Sequence, residues 1–219
     1  MDFALTDNQR LIDEAVRSVC ARFDDAYWLE HDRTGDFPEE FRRAMIEGGW
    51  LGIAMPEKYG GAGLGITDAA VLMHAVANSG GAMSAASAIH INIFGPHPIV
   101  VFGSEEQRQR WLPPLIDGCE IACFAVTEPD AGLDTGNLRT EALLKGGHYI
   151  INGQKIWTST AQIADKVMLL ARTTPRRSKA SSVDGLSLFY THLDRDRISV
   201  REIDKMGRKA VDSNELFID

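Results

Sequence analysis

The hydrophobic period of this chain changes once, near Glu120, and that change restricts the folds open to it. Before it, apolar residues return at helical spacing: Leu11, Ala15, Val19 and Phe23, with Ile12 and Val16 beside them, form one stripe behind Thr6-Asp7-Asn8-Gln9. That tetrapeptide has capping-box spacing, in which the Thr and Gln side chains each satisfy a backbone N–H left orphaned by the first turn. After it, short β-branched and aromatic runs separated by turn residues replace the helical repeat. The expected organisation is α+β: an all-helical unit over 1–119, then an antiparallel, β-barrel-like unit over 120–219.

Further punctuation divides the first half. Asp36 is placed to cap a second helix with Pro38 inside its first turn, and Gly48-Gly49 ends it. Met55 to Gly63 is too rich in Gly and Pro for a regular element and reads as a loop able to cradle a ligand. Thr67 is placed to cap an apolar helix through Ala77, and Ser79-Gly80-Gly81 breaks the chain before a weakly polar stretch from Met83 to Phe94. Ser104-Glu105-Glu106-Gln107 repeats the capping box ahead of Trp111, Pro113-Pro114 constrains that helix, and Gly118 stops it. In the second half, Asn152-Gly153 between two strand-like arms predicts a type I′ hairpin turn. Further strands are expected at Val167 to Ala171, Leu186 to Tyr190, Ile198 to Arg201 and Glu215 to Ile218, with a mobile surface loop from Thr173 to Asp184.

With 219 residues, 44% of them hydrophobic, the chain can bury two modest cores. Its 23 basic against 31 acidic residues, net −8 and without a cationic run, argue against a nucleic-acid groove or an anionic-membrane surface. The amino terminus lacks signal-peptide features, and no uninterrupted apolar run is long enough to span a bilayer, so a cytoplasmic enzyme is the default expectation. Cys20, Cys119 and Cys123 form no recurring zinc-type pair and are expected to be reduced and structural. The histidines, among them His74, His90, His97, His148 and His192, are dispersed without metal-ligand spacing.

Two segments carry the chemistry. In Phe124-Ala125-Val126-Thr127-Glu128-Pro129-Asp130-Ala131-Gly132-Leu133-Asp134 a strand runs into a turn of small and polar residues, where Gly132 permits close backbone approach and Thr127 offers a hydroxyl. In Lys155-Ile156-Trp157-Thr158-Ser159-Thr160 a large aromatic precedes three hydroxyls, a set that can cover one face of a flat ring and address its heteroatoms. Alone, each also fits an ordinary strand end.

In this order the two segments resemble the acyl-CoA dehydrogenase family. Its signature, Ala/Val-hydrophobic-Thr-Glu-Pro-x-Ala-Gly-Ser-Asp, is matched from Ala125 to Asp134 except at Leu133, and its later Asn-Gly-x-Lys-x-Trp is matched from Asn152 to Trp157. Pro56-Glu57-Lys58-Tyr59-Gly60-Gly61 and Lys205-Met206-Gly207-Arg208 extend the resemblance over the whole chain. It implies FAD as cofactor, with Val126 and Thr127 bonded to the flavin edge, Phe124 beside the ring, Trp157 packed on it, and Thr158 and Ser159 near N5. Gly132 and Leu133 would lie by the FAD phosphates; where relatives carry Ser, Leu133 cannot bond through its side chain, so phosphate and acyl-CoA contacts there are expected to be weakened or rearranged. Ser213 would approach the CoA moiety of the acyl-CoA substrate.

The resemblance further implies α,β-dehydrogenation of an acyl-CoA thioester, an electron-transfer flavoprotein as acceptor, and a homo-oligomer, dimer or tetramer. The family's carboxy-terminal four-helix bundle and its catalytic Glu would lie beyond Asp219, so no residue here is assigned as catalytic base, and a chain cut short is the expectation. Glu128 is expected to serve loop structure. An oxygen-using oxidase on the same scaffold and a non-catalytic acyl-CoA-, flavin- or partner-binding module are the alternatives.

Overall fold

The computed structural model describes residues 4–175 and 181–219. The chain divides into two compact units, Met1–Glu120 with Lys205–Val211, and Ile121–Asp204 with Asp212–Asp219.

The first unit is helical: α1 (Asp7–Cys20), α2 (Asp25–Thr34), α3 (Glu39–Glu47), α4 (Ile66–Ala77), α5 (Ala82–Phe94), α6 (His97–Phe102) and α7 (Glu105–Ile116). Both capping boxes form. The Gln9 N–H donates to the Thr6 hydroxyl at 3.2 Å and the Thr6 N–H to the Gln9 side chain at 3.1 Å, and Ser104 and Gln107 repeat this at 3.2 and 2.8 Å. Ser104→Ala is expected to cost about 1 kcal/mol. Urea unfolding would check it, and no change in midpoint would mean that Gln107 alone caps α7.

Packing shifts several expected positions. The buried face of α1 is Ile12, Val16 and Cys20, with Val19 partly buried against the same core; of the expected stripe, Leu11 is 64% exposed and Ala15 also faces solvent. Both rows have helical spacing, and only tertiary contact selects between them. α2 has no counterpart in the expected pattern because only Trp28 of its ten residues is buried; Asp24 caps it, accepting from the Tyr27 N–H at 2.9 Å. Pro38 occupies the N-cap of α3 rather than its first turn, and Asp36 makes no cap. α4 starts at Gly65, whose N–H donates to the Asp68 carboxylate at 3.0 Å, so Thr67 lies inside the helix. Together α5 and α6, Ala82–Phe102, are long and apolar enough to cross a bilayer by length and composition, but polar residues interrupt the run and half of it is buried inside the protein as in a core helix. Phe23, Tyr27, Trp28 and Phe41 form an aromatic cluster beneath α1, α2 and α3, with Phe41 5.1 Å from Trp28 and 5.4 Å from Phe23 between ring centroids. Val211 joins this core, and the Arg208 guanidinium donates to the buried Ser87 hydroxyl at 2.8 Å.

The second unit is one seven-stranded sheet of β1 (Ala122–Ala125), β2 (Glu141–Lys145), β3 (His148–Ser159), β4 (Lys166–Arg172), β5 (Leu186–His192), β6 (Ile198–Glu202) and β7 (Ser213–Ile218). The order is β1-β4-β2-β3-β7-β6, with β5 also on β4. The sheet is mixed, which corrects the antiparallel expectation: β1 runs parallel to β4, and β2 meets β4 in a parallel bridge. The β2–β3 excursion supplies the crossover that parallel neighbours require. The later four strands cover the segments expected for them. The loop expected from Thr173 to Asp184 falls partly on 176–180, outside the described residues.

The predicted hairpin at Asn152-Gly153 is not there. Both residues lie within β3, and the turn is Gly146-Gly147, whose φ values of 56° and 83° meet the type I′ requirement at both central positions. Gly153 answers a different need. A Cβ on it would sit 2.4 Å from the Thr140 hydroxyl and 2.7 Å from Thr140 Cα. Here β3 changes partner: Asn152 still pairs with Glu141 of β2, whereas Gly153 pairs with Ile218 of β7. The sheet curls around this handover, over a core that includes Cys123, Val167, Leu169, Leu216 and Ile218.

All three cysteines are free, Cys20 and Cys123 buried and Cys119 exposed. Burial pushes the Cys20 thiol upward and the Cys123 thiol to about 12, which leaves both as unreactive core side chains.

Candidate functional site

β1 delivers the chain to Val126 and Thr127, after which Glu128 and Ala131 exchange two backbone hydrogen bonds of 3.1 Å around Pro129-Asp130. This is a closed turn with proline at its favoured second position. Glu128 does not project from it as a free acid. Its carboxylate is buried and accepts from the Arg139 N–H at 2.6 Å, the Thr140 N–H at 2.9 Å and the Lys155 ammonium at 2.8 Å. Burial acts to raise the Glu128 carboxyl, but these donors outweigh it and hold the group below its ordinary range. Glu128 is therefore part of the loop's framework, as the sequence implied.

Lys155 binds the two segments together. It is fully buried, donates to the Val126 carbonyl at 3.1 Å as well as to Glu128, and is pushed below its ordinary range by burial, against the opposing pull of Glu128. One residue on, the Ile156 N–H donates to the Thr127 carbonyl at 2.9 Å. The two sequence motifs are thus adjacent. Lys155 has no role among the expected site residues, and its one sequence signal is that it is the sole charge between Tyr149 and Thr160.

Trp157 follows on a β-bulge. Lys155 pairs with Leu216 and Thr158 with Asn214, so Ile156 and Trp157 oppose Glu215 alone. Trp157 has φ 61°, a left-handed conformation disfavoured for a bulky residue, and the residue is 59% exposed. Thr158 is buried; its carbonyl accepts from the Asn214 amide at 2.9 Å, and its hydroxyl has no partner among the described residues. Ser159 is half-buried and pairs across the ladder with Ser213, itself buried.

The remaining expected residues spread outward. Phe124, Val126 and Thr127 are half-buried, and neither the Thr127 N–H nor its hydroxyl is engaged among the described residues. Gly132 is exposed, and a Cβ there would meet nothing within 4 Å, so packing within the unit does not demand glycine. Leu133 is fully exposed, and no hydrogen bond among the described residues ties it or Gly132 to the Trp157 segment. The Met55–Gly63 loop, offered by its composition as a ligand cradle, closes on itself: the Gly63 N–H donates to the Met55 carbonyl at 2.8 Å, and a Cβ on Gly61 would strike that carbonyl at 2.1 Å.

Residues 6–119 match the model of the acyl-CoA dehydrogenase N-terminal domain, and residues 123–219 that of the acyl-CoA dehydrogenase middle domain. Over its whole length the chain is 33% identical to the probable acyl-CoA dehydrogenase YngJ of Bacillus subtilis (strain 168), of which it spans 57%. The whole chain superposes on 57% of a chain from the structure described as the electron transferring flavoprotein of Acidaminococcus fermentans, at a TM-score of 0.88 and 30% identity. It superposes equally on 57% of a chain in the FAD complex of PigA, at 0.88 and 26%. The chain therefore spans little more than half the length of these relatives, and with both of its units matched it belongs to the acyl-CoA dehydrogenase family of flavoprotein oxidoreductases.

Proposed function

We propose that this chain carries the flavin-holding part of an FAD-dependent acyl-CoA dehydrogenase, which removes the α-proton and the β-hydrogen of an acyl-CoA thioester. The observation that carries the reading is the 2.9 Å bond from the Ile156 N–H to the Thr127 carbonyl, which joins the two motifs at their centre. The residues fit a flavin in three respects. Among the described residues, Thr127 keeps an N–H and a hydroxyl uncommitted for a polar ring edge, Trp157 is an exposed aromatic, and the buried Thr158 hydroxyl lacks a partner.

FAD, when bound, supplies the acceptor for the hydrogen leaving the β-carbon. Val126 and Thr127 would hold the ring edge, Phe124 and Trp157 its flanks, and Thr158 and Ser159 the side near N5. Donors fixed in advance by the fold cost no reorganisation when charge develops on the ring. Gly132 and the Leu133 backbone would approach the phosphates, and Ser213 and the exposed Leu133 side chain would border the thioester arm of the substrate. The base that takes the α-proton is not assigned to any residue of this chain, and an electron-transfer flavoprotein is the proposed acceptor.

The Trp157 conformation yields a test with two signs. Trp157→Gly relieves a left-handed backbone that costs about 1–2 kcal/mol, so the flavin-free chain should unfold at equal or higher urea, while its affinity for FAD should fall at least tenfold. Lower stability with unchanged FAD affinity would mean that the indole serves the core.

The function itself is tested by adding FAD to the protein, expressed with whatever sequence its gene encodes after Asp219, and recording the visible spectrum with a panel of acyl-CoA thioesters under anaerobic conditions. A flavin band bleached by one of them is expected. Folded protein that acquires no band overturns the reading, and peroxide formed in air without another acceptor would make it an oxidase.

A further inference from the structure

Among the buried polar groups, one pair has no assigned task in the reaction. Lys155 and Glu128 are 0% and 6% exposed in their side chains and sit 2.8 Å apart. A buried ion pair is a poor way to gain stability alone, because well-packed apolar residues of similar volume often do as well or better. Its advantage is directional. The Glu128 carboxylate is fixed by two consecutive N–H groups, Arg139 and Thr140, and its backbone closes the turn with Ala131. The Lys155 ammonium then spans from that carboxylate to the Val126 carbonyl, bracketing Thr127 on both sides.

The consequence falls on Thr127. With Val126 and Glu128 both held by one ammonium and the Thr127 carbonyl occupied by Ile156, the backbone around Thr127 has its position set at three consecutive residues. Its N–H and hydroxyl are left over, uncommitted among the described residues. A slip of one residue in β3 would replace Lys155 by Gln154 or Ile156, neither of which carries a charge for Glu128.

We propose that Lys155 and Glu128 form a positioning pair that locks the register between the two flavin-facing segments and so keeps the Thr127 N–H and hydroxyl available to the ring edge. The proposal rests on the flavin-holding reading given above. It assigns neither residue a proton-transfer step, and both act through Thr127.

The test uses the full protein and two variants. The double variant Lys155→Met, Glu128→Gln removes both charges while keeping a side-chain carbonyl for the Arg139 and Thr140 N–H groups, and Glu128→Gln alone keeps the ammonium on Val126. In the flavin-free protein, the Ile156 amide reports the register by hydrogen exchange, with the β4 amides as internal control. Expected for both variants are a cooperative melt, Ile156 exchange at least tenfold faster with β4 amides unchanged, an FAD dissociation constant raised at least tenfold, and a shifted flavin absorption band. Ile156 protection or FAD affinity within twofold of the parent would overturn the pair's positioning role. Loss of the cooperative melt in both variants would also overturn it, since the pair would then be holding the fold itself. A parent protein that melts normally and binds no FAD fails the flavin-holding reading instead, and the two failures are separated by that control.

Discussion

Lys155→Ala is expected to cost about 3–5 kcal/mol, because it strands the Glu128 carboxylate in the interior. A loss of that size is a large part of what holds a domain together. Urea unfolding of parent and variant at neutral pH would measure it, and a difference under about 1 kcal/mol would show that water or relaxation solvates Glu128 once the ammonium is gone. The effect has a defined pH dependence. Because Glu128 is held below its ordinary value of 4.5, its contribution is fully present above about pH 4.5 and fades as the pH falls from there through its folded value. The gap between variant and parent should narrow over the same descent, since a protonated Glu128 leaves no unpaired charge. A gap that widens toward acid would contradict the assignment of the loss to this carboxylate.

Phe41→Ala should be as damaging in the helical unit. Phe41 is fully buried and touches two other rings edge-on, so its removal forfeits transfer energy and leaves a cavity walled by rigid aromatics, at about 3–5 kcal/mol. Thermal unfolding followed by the helical circular dichroism signal would register a large fall in midpoint. Phe41→Leu, which refills part of the volume, should recover more than half of it. Equal losses in both variants would point to ring geometry rather than volume as the dominant contribution.

How far the structure could be read in advance follows the range of the interactions. The capping boxes at Thr6 and Ser104 were legible because both partners lie three residues apart and the chemistry closes locally. The flanks of the Gly48-Gly49 and Ser79-Gly80-Gly81 breaks were legible for the same reason. Asn152-Gly153 was misread because its local preference for a turn is real, whereas its use here is set by Thr140, on another segment, pressing against the glycine. Leu11 and Ile12 are equally apolar, so the sequence could not say which row of α1 faces inward. The parallel pairing of β1 with β4 joins Ala122 to Lys166 and leaves no local trace. At the site, the two motifs could be recognised as a pair by their resemblance to a family. Lys155 stood out in the sequence only as the sole charge between Tyr149 and Thr160; its burial left no such mark, because a lysine in a strand ordinarily reads as a solvent-facing residue.

The change of partner within β3 has a bearing on how the protein is made. Residues 148–152 find their neighbour in β2, joined to them by the short glycine turn, and can zip as soon as both emerge. For their ladder partner, residues 153–159 have to wait for 213–218 to be synthesised. Until then, although Lys155 and Ile156 can already reach Val126, Thr127 and Glu128, the β7-facing side of this stretch is an unpaired edge, open to strands of other nascent chains. Aggregation during expression should therefore respond to translation speed between residues 160 and 212, and a chaperone that shields extended segments would act on this interval.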